Sequence, residues 1–389
     1  MQFFFFHLMP WTRLPADFDE RYPSSFVLFP NSFYDPEYGH DLYNRYLDEL
    51  ELADRLGFDA VCVNEHHQNA YGLMPSPNIM AAALSRRTSQ AKIAILGNAL
   101  PLHDHPLRVA EEVAMLDVIT GGRIISGFVR GLGVEHFTFN TTPNFSRERF
   151  LEAHDLIVKA WTEPGPFDWY GKHYELKYVN VWPRPIQKPH PPIYAPSTGT
   201  PETLKWSAEH RYPFIRVFTP VAAIKPLFDE YRRYANEAGY EASPEQLGWS
   251  VPIYVADTDS QALEEAKPHV AFLLQKLLKM PPHMFAPPGY TSAESLRRMM
   301  RSVSFQRPKE IDIDQLNESG LIVAGSPETV RQRLASYQAE MGLGLLVGTF
   351  QFGTLPHDQT VRSTELFATK VMPHFRDKHS SPSAEGEVR

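Results

Sequence analysis

The sequence predicts an α/β fold that closes into one (β/α)8 barrel, a TIM barrel, with an insertion before the last strand. Short, nearly all-apolar runs rich in β-branched residues alternate with stretches of helical period, as parallel strands buried on both faces require. Eight such runs, at 2–8, 58–64, 92–100, 123–129, 192–197, 213–218, 247–256 and 343–351, match the number that closes a barrel. A doubly wound open sheet is the competitor, but no Gly-rich dinucleotide fingerprint follows the first run.

Each element has a local reason. The opening MQFFFFHLMPW reads as a buried first strand, because it lacks the basic start and small-residue cleavage site of a signal peptide. Residues 41–56 set Leu42, Tyr43, Tyr46, Leu47, Leu50, Ala53 and Leu56 at helical spacing, and Gly57 stops them. FDAVCVN (58–64) is the second strand, followed by a helix near 77–88 and the strand KIAILGNAL (92–100). Pro106 opens the next helix at a position proline favours, and TGG (120–122) closes it before RIISGFV (123–129). A helix over 146–161 precedes PIYAPS (192–197) with a helix near 201–209, then PFIRVF (213–218) with one near 223–239. LGWSVPIYVA (247–256), LGLLVGTFQ (343–351) and a helix near 361–375 complete the alternation.

Two segments break the pattern. Residues 164–191, rich in aromatics and prolines, predict a hairpin excursion, and 258–325 predict an insertion able to cover the barrel mouth. The domain thus spans 1–376, and 377–389 reads as a flexible tail.

Composition excludes several classes. The net charge of −8, from 46 acids against 38 bases with no basic run, argues against a nucleic-acid partner. No window approaches the roughly 18 apolar residues of a membrane span. The one cysteine, Cys62, rules out an internal disulfide and fits a reducing, cytoplasmic setting.

In such a barrel the site lies at the carboxyl ends of the strands. Strand one ends at His7, Met9 and Trp11; strand two at Glu65, His66 and His67; strand three at Gly97, Asn98 and Ala99. Strand four ends at Val129, Arg130 and Gly131, strand five at Ser197, Thr198 and Gly199, strand six at Phe218 and strand eight at Phe350, Gln351 and Phe352. Arg130 offers a planar fork for a phosphate, and Gly131 lets a backbone amide approach it. PSTGTPET (196–203) runs from a hydroxyl–glycine turn into a helix, so hydroxyls and helix-start amides can meet an anion, although Thr198 or Thr200 could equally serve as a cap. The pair HDH (103–105) raises a rival zinc hydrolase with Glu65 or His66 as further ligands, but Pro106 puts the pair in a loop and no later strand end completes the set.

These motifs, in this order, resemble the bacterial luciferase-like family of flavin-dependent monooxygenases. GFDAVCVNEHH, GNALPLHDHPLRVAEEVAMLDVITGGRIISGFVRG, NFSRERFLEA, PPIYAPSTGTPETLKWSAEH and VAGSPETVRQRL carry the likeness, over about 1–255 and 320–375. The resemblance implies a barrel binding reduced FMN from a separate reductase, with a flavin peroxide oxygenating a small organic substrate at the expense of O2, and a homodimer. It assigns catalysis to His66, with Glu65 near the ring and His67 behind them. It assigns the phosphate to Arg130, Thr198 and Gly199, and a non-prolyl cis peptide beneath the flavin to Gly97–Asn98. Ala99, Val129, Gly131, Ser197 and Phe218 complete the expected cofactor set, with no metal. Val129 stands where the best-known member has a cysteine, which bears on peroxide lifetime and light emission but not on flavin binding. A deazaflavin-dependent dehydrogenase of the same fold is the alternative. An aromatic mouth of Tyr34, Tyr38, Tyr71, Trp169 and Tyr170 suggests an apolar or ring-containing substrate.

Overall fold

A computed structural model describes residues 1–300 and 310–376. Its strands are β1 Gln2–His7, β2 Ala60–Val63, β3 Lys92–Ala99, β4 Ile124–Val129, β5 Phe167–Tyr170, β6 Glu175–Val179, β7 Ile193–Ser197, β8 Phe214–Val217, β9 Leu247–Val255, β10 Val323–Gly325 and β11 Leu345–Gln351. Eight of them pair in parallel in the order β1-β2-β3-β4-β7-β8-β9-β11. The ring closes because β11 bonds to both β9 and β1. The barrel expected from the sequence is therefore present.

The phenylalanine run explains why β1 can sit inside a closed sheet. Phe3, Phe4, Phe5 and Phe6 are all buried. Phe3 packs outward on Phe367 and Phe375, while Phe4 stacks across the barrel on Tyr194 at 6.0 Å. Both faces are apolar because one meets the helical shell and the other the barrel interior.

The helix expected over 41–56 is Pro36–Arg55. It starts earlier because the Asp35 carboxylate accepts the amides of Glu37 and Tyr38 and Pro36 occupies the first turn. The excursion at 164–191 contains the antiparallel hairpin β5–β6. Glu152 of the helix Ser146–Thr162 accepts the amides of Lys172, His173 and Tyr174 there. The following proline-rich stretch is tied down by Asp117, buried, which accepts the amides of Ile186 and Gln187.

After β9 the chain runs through the helix Asp259–Ala271, a π-helical turn Phe272–Leu277, and short helices Pro282–Phe285 and Ala293–Met300. It returns through Ile313–Ser319 to β10, three residues that add to the edge of β9 and were not expected from the sequence. Ser25 donates to the Leu277 carbonyl at 2.5 Å, so this segment crosses back over the strand ends near the N-terminal loops. The tail expected at 377–389, and 301–309 of the expected insertion, lie outside the described residues. No helix among the described residues is long and apolar enough to cross a membrane.

Candidate active site

At the carboxyl ends of the strands lies a cavity of about 230 Å³. It gathers Glu65 and His66 after β2, Gly97 on β3, Val129, Arg130 and Gly131 from the end of β4, Ser197 and Thr198 at the end of β7, and Phe218 after β8. Leu278, Met280, Phe285 and Tyr290 of the segment after β9 form part of its wall.

His66 is held by a residue the sequence did not suggest. Its Nδ1 lies 2.7 Å from Oε1 of Glu135, whose other oxygen accepts the Leu132 amide at 2.6 Å. A carboxylate can only accept, so Nδ1 carries the hydrogen and Nε2 is left as an acceptor. Tyr71 packs edge-on against the ring at 4.9 Å. The imidazole is thus fixed in both orientation and tautomer.

Glu65 turns to different partners. Its carboxylate, buried, accepts from His67 at 2.7 Å, from the Ala99 amide at 2.9 Å and from His103 at 3.4 Å. Burial raises its pKa, but the bonds from His103 and His67 outweigh that and hold it at about 2. With its oxygens occupied in this way, Glu65 braces the ends of β2 and β3. The HDH pair is split: His103 faces Glu65, while His105 stands at the start of the helix Pro106–Thr120. One trio of possible metal ligands occurs among the described residues, His154, Asp155 and His210, and it includes no strand-end residue.

The non-prolyl cis peptide is Leu96–Gly97, one bond earlier than the Gly97–Asn98 the resemblance implied. β3 and β4 approach closely at Gly97, where a Cβ would meet the Gly127 carbonyl oxygen at 2.4 Å, and at Gly127, where one would meet the Ile95 carbonyl oxygen at 2.3 Å. Asn98 does not line the cavity; it is fully buried, with neither side-chain polar atom partnered. Ala99, Gly199 and His67 also stand outside the lining. Ala99 serves Glu65, and Gly199, at φ +77°, donates its amide to Ser197 Oγ at 3.0 Å. His67 packs on Phe139.

The cavity also carries cations, Arg130 and Arg216, with Arg147 nearby outside its lining. Arg130 donates Nη1 to the Tyr290 carbonyl at 3.0 Å and lies 4.5 Å over that ring, and Tyr290 donates its hydroxyl to the Gly131 carbonyl at 2.6 Å. Arg147, at the start of the helix Ser146–Thr162, donates to the Glu202 carbonyl at 2.8 Å. Burial and the nearby Arg130 lower its pKa. Arg216, on β8, also lines the cavity and is buried. Neither Arg147 nor Arg216 was singled out from the sequence. For Arg216 a signal existed, a lone cation inside the apolar run PFIRVF.

A second cavity of about 710 Å³ meets the first at His66. Trp11, Phe29, Tyr34 and Tyr43 wall it, and the buried Trp11 Nε1 has no partner. Of the expected aromatic mouth, Tyr34 and Tyr71 line cavities, whereas Trp169 and Tyr170 sit on the β5–β6 hairpin outside both linings. Trp169 is drawn there by Glu152, its indole nitrogen 3.3 Å from the carboxylate.

A closed parallel barrel with an imidazole–carboxylate pair and an arginine-flanked hydroxyl turn at the strand ends places this chain among the α/β-barrel proteins with a rim cavity. Residues 24–343 match the luciferase-like monooxygenase family model, and the chain belongs to that family, as an oxidoreductase of the monooxygenase class. It is 27% identical to limonene 1,2-monooxygenase from Rhodococcus erythropolis over 85% of this chain and 80% of that one. Among solved structures it is similar to the monooxygenase RslO1 from Streptomyces bottropensis, with a TM-score of 0.74 at 25% identity, covering 97% of this chain and 100% of that one. The fold is shared, at 18% identity and a TM-score of 0.73 over 96% and 98% of the chains, with the oxygenating constituent of 3,6-diketocamphane monooxygenase from Pseudomonas putida, solved with FMN. It is shared too, at 17% identity and a TM-score of 0.68 over 97% and 99%, with an F420-dependent secondary alcohol dehydrogenase.

Proposed function

We propose that the protein is the oxygenase half of a two-component system, taking reduced FMN from a separate flavin reductase and using O2 to oxygenate a small apolar or ring-containing compound. One observation carries this reading: the cavity joins the Glu135-bound His66 to the Arg130–Ser197–Thr198 rim. Bound there, reduced FMN would supply the activation of dioxygen.

The chain's own residues fit that group. Leu96, Gly97 and Val129 give a floor for a flat ring, and the Gly97–Gly127 contact leaves no side chain between the strands. Arg130, Thr198 and the turn at Gly199 suit a phosphate. His66 holds or returns a proton at Nε2, with Glu135 stabilising the charged ring. Phe6, Phe218, Met280 and Phe285 exclude water from the reacting atoms. In this reading Glu65 and His67 position the floor, and the segment after β9 acts as a lid through Tyr290.

The second cavity is the natural chamber for the organic substrate, because it shares His66 with the first, has no arginine in its lining and is walled by rings. Ile79, Met115, Val118 and Ile119 form an exposed apolar patch on two adjoining helices, which suits a homodimer face. Cys62, buried with its thiol pushed up by that burial, suits a cytoplasmic setting.

The alternative is hydride transfer with a deazaflavin, favoured by the fold shared with the F420-dependent dehydrogenase. The test is oxygen uptake with reduced FMN across ketones, aldehydes, sulfonates and aromatics, beside anaerobic alcohol oxidation with a deazaflavin. Oxygenated product from at least one compound is expected. Turnover confined to the anaerobic arm would overturn the proposal.

A further inference from the structure

We infer that Arg216 is a second guanidinium for the ligand's phosphate, facing Arg130 across the Ser197 turn. The inference rests on reading the first cavity as the flavin site.

Strand register sets the two arginines on either side of one hydroxyl. β4 and β7 pair Ser126 with Ile193 and Gly127 with Tyr194, and the same offset carried forward sets Arg130 level with Ser197. β7 and β8 pair Ser197 with Arg216 directly. Residues two apart on a strand share a face. Phe128 packs on His154 and Trp161, and Phe214 on Phe228 and Tyr231, so Arg130 and Arg216 follow the helix-facing rows of their strands. That side also carries the start of the helix Pro201–Glu209.

Arg216 lacks a counter-charge. It is 8% exposed, and among the described residues its one hydrogen bond is a long 3.4 Å contact to the Ser197 carbonyl while its Nε has no partner. No carboxylate lies within ion-pair reach of it among the described residues, and burial alone pulls its pKa down to about 10. A buried cation without an anion is costly, so the position calls for an anionic ligand.

Arg130, Arg147 and Arg216 lie about the turn, with Glu202, engaged by Ser292 and Ser295, and Glu135, beside Gly131, as the nearby acids. Three guanidiniums against the carboxylates of Glu202 and the His66-bound Glu135 leave the turn net cationic. A phosphomonoester, with three terminal oxygens and most of a double negative charge at pH 7, can accept from both guanidiniums at once. FMN is the monoester; riboflavin has no phosphate at all.

The experiment titrates FMN and riboflavin into the wild type, Arg216→Met and Arg216→Lys, read by flavin fluorescence quenching, with thermal melts reporting folding. In Arg216→Met, FMN affinity should drop roughly 10- to 100-fold, the worth of a charge-assisted bond, while riboflavin affinity holds. Arg216→Lys, which keeps the charge but not the fork, should fall between. Equal losses for both flavins, or an unchanged FMN affinity, would overturn the inference. Should Arg216→Met fail to fold, Arg216→Lys decides alone: parallel losses for both flavins refute it and a loss for FMN only supports it. A wild type that binds neither flavin would refute the flavin-site reading itself.

Discussion

His66 and Glu135 are joined by a 2.7 Å hydrogen bond across 69 residues of sequence, while Glu65, the immediate neighbour of His66, bonds to His67 and His103 instead. The histidine that faces the cavity is therefore paired with the distant acid, and the adjacent acid serves the scaffold. His66→Asn should lower turnover by about 10²–10⁴-fold with flavin affinity kept, the usual share of a general acid–base. Glu135→Gln should lower it less, and should shift the pH–rate profile, because an amide no longer fixes the Nδ1 tautomer. Stopped-flow and steady-state rates over pH 5–9 check both. An unchanged profile in Glu135→Gln would remove the pairing from catalysis.

Acid should unfold the protein through two buried carboxylates. Glu49, 1% exposed, accepts from His7 at 2.9 Å, His357 at 2.8 Å and Arg45 at 2.8 Å. Burial raises its pKa, but bonds from His357 and His7 bring it down to about 2, as happens for Glu65. Both folded values lie below the ordinary 4.5. Their stabilisation is thus complete above pH 4.5 and is lost as pH falls toward 2. At about 1.4 kcal/mol per pH unit the loss is on the order of 3 kcal/mol for each group. Denaturation midpoints from pH 7 to pH 3 should fall steeply in the wild type and less steeply in Glu49→Gln, which starts lower. Parallel slopes would contradict the assignment.

How much of this was legible in the sequence follows from what each feature depends on. The barrel strands were readable because a strand apolar on both faces, such as AVCV of β2, looks different from a surface helix. β10 was not, since VAG is too short to carry a period. The helix beginning at Pro36 was missed by five residues because PEYGH, its first turn, is largely exposed and lacks an apolar stripe. The strand-end residues Glu65, His66, Val129, Arg130, Ser197 and Thr198 could be gathered by topology alone, because every carboxyl end of a parallel barrel meets at one rim. Glu135 could not, because its role comes from a contact between the short helix Glu135–Thr138 and the loop after β2, far apart in sequence. Arg216 was visible as a charge, but which side of β8 it took depended on Phe214 packing outward.

Gly97→Ala should be destabilising in a way its small volume does not suggest. The added Cβ would lie 2.4 Å from the Gly127 carbonyl oxygen and 2.5 Å from its carbon, both backbone atoms that cannot swing aside. β3 and β4 must then part at the cavity floor, at roughly 1–3 kcal/mol of overpacking, with weaker flavin binding. Gly57→Ala is the contrast: nothing lies within 4 Å of its Cβ, and only its φ of +80° opposes the change. Denaturant midpoints should fall in both, but flavin affinity in Gly97→Ala alone. Equal flavin affinities would show that the close approach does not shape the floor.

The exposed patch gives the last prediction. Ile79 is 66% exposed on the helix Pro77–Arg87, and Met115, Val118 and Ile119 are 44–48% exposed on Pro106–Thr120. Asn78 donates to Glu112 at 2.7 Å, so the two helices that expose these residues lie side by side. Scattered apolar residues need no partner, but a contiguous set on two packed helices does. Covered by its two-fold mate, such a surface can reach the roughly 1,000 Å² that a specific interface needs. The wild type should therefore run in light scattering at twice its 44.4 kDa chain mass, and Val118→Glu with Ile79→Glu at the chain mass with an unchanged circular dichroism spectrum. Because the cavity lining includes none of these residues, the monomeric variant should keep its flavin affinity. A wild type that is already monomeric at micromolar concentration would rule this face out as a homodimer interface.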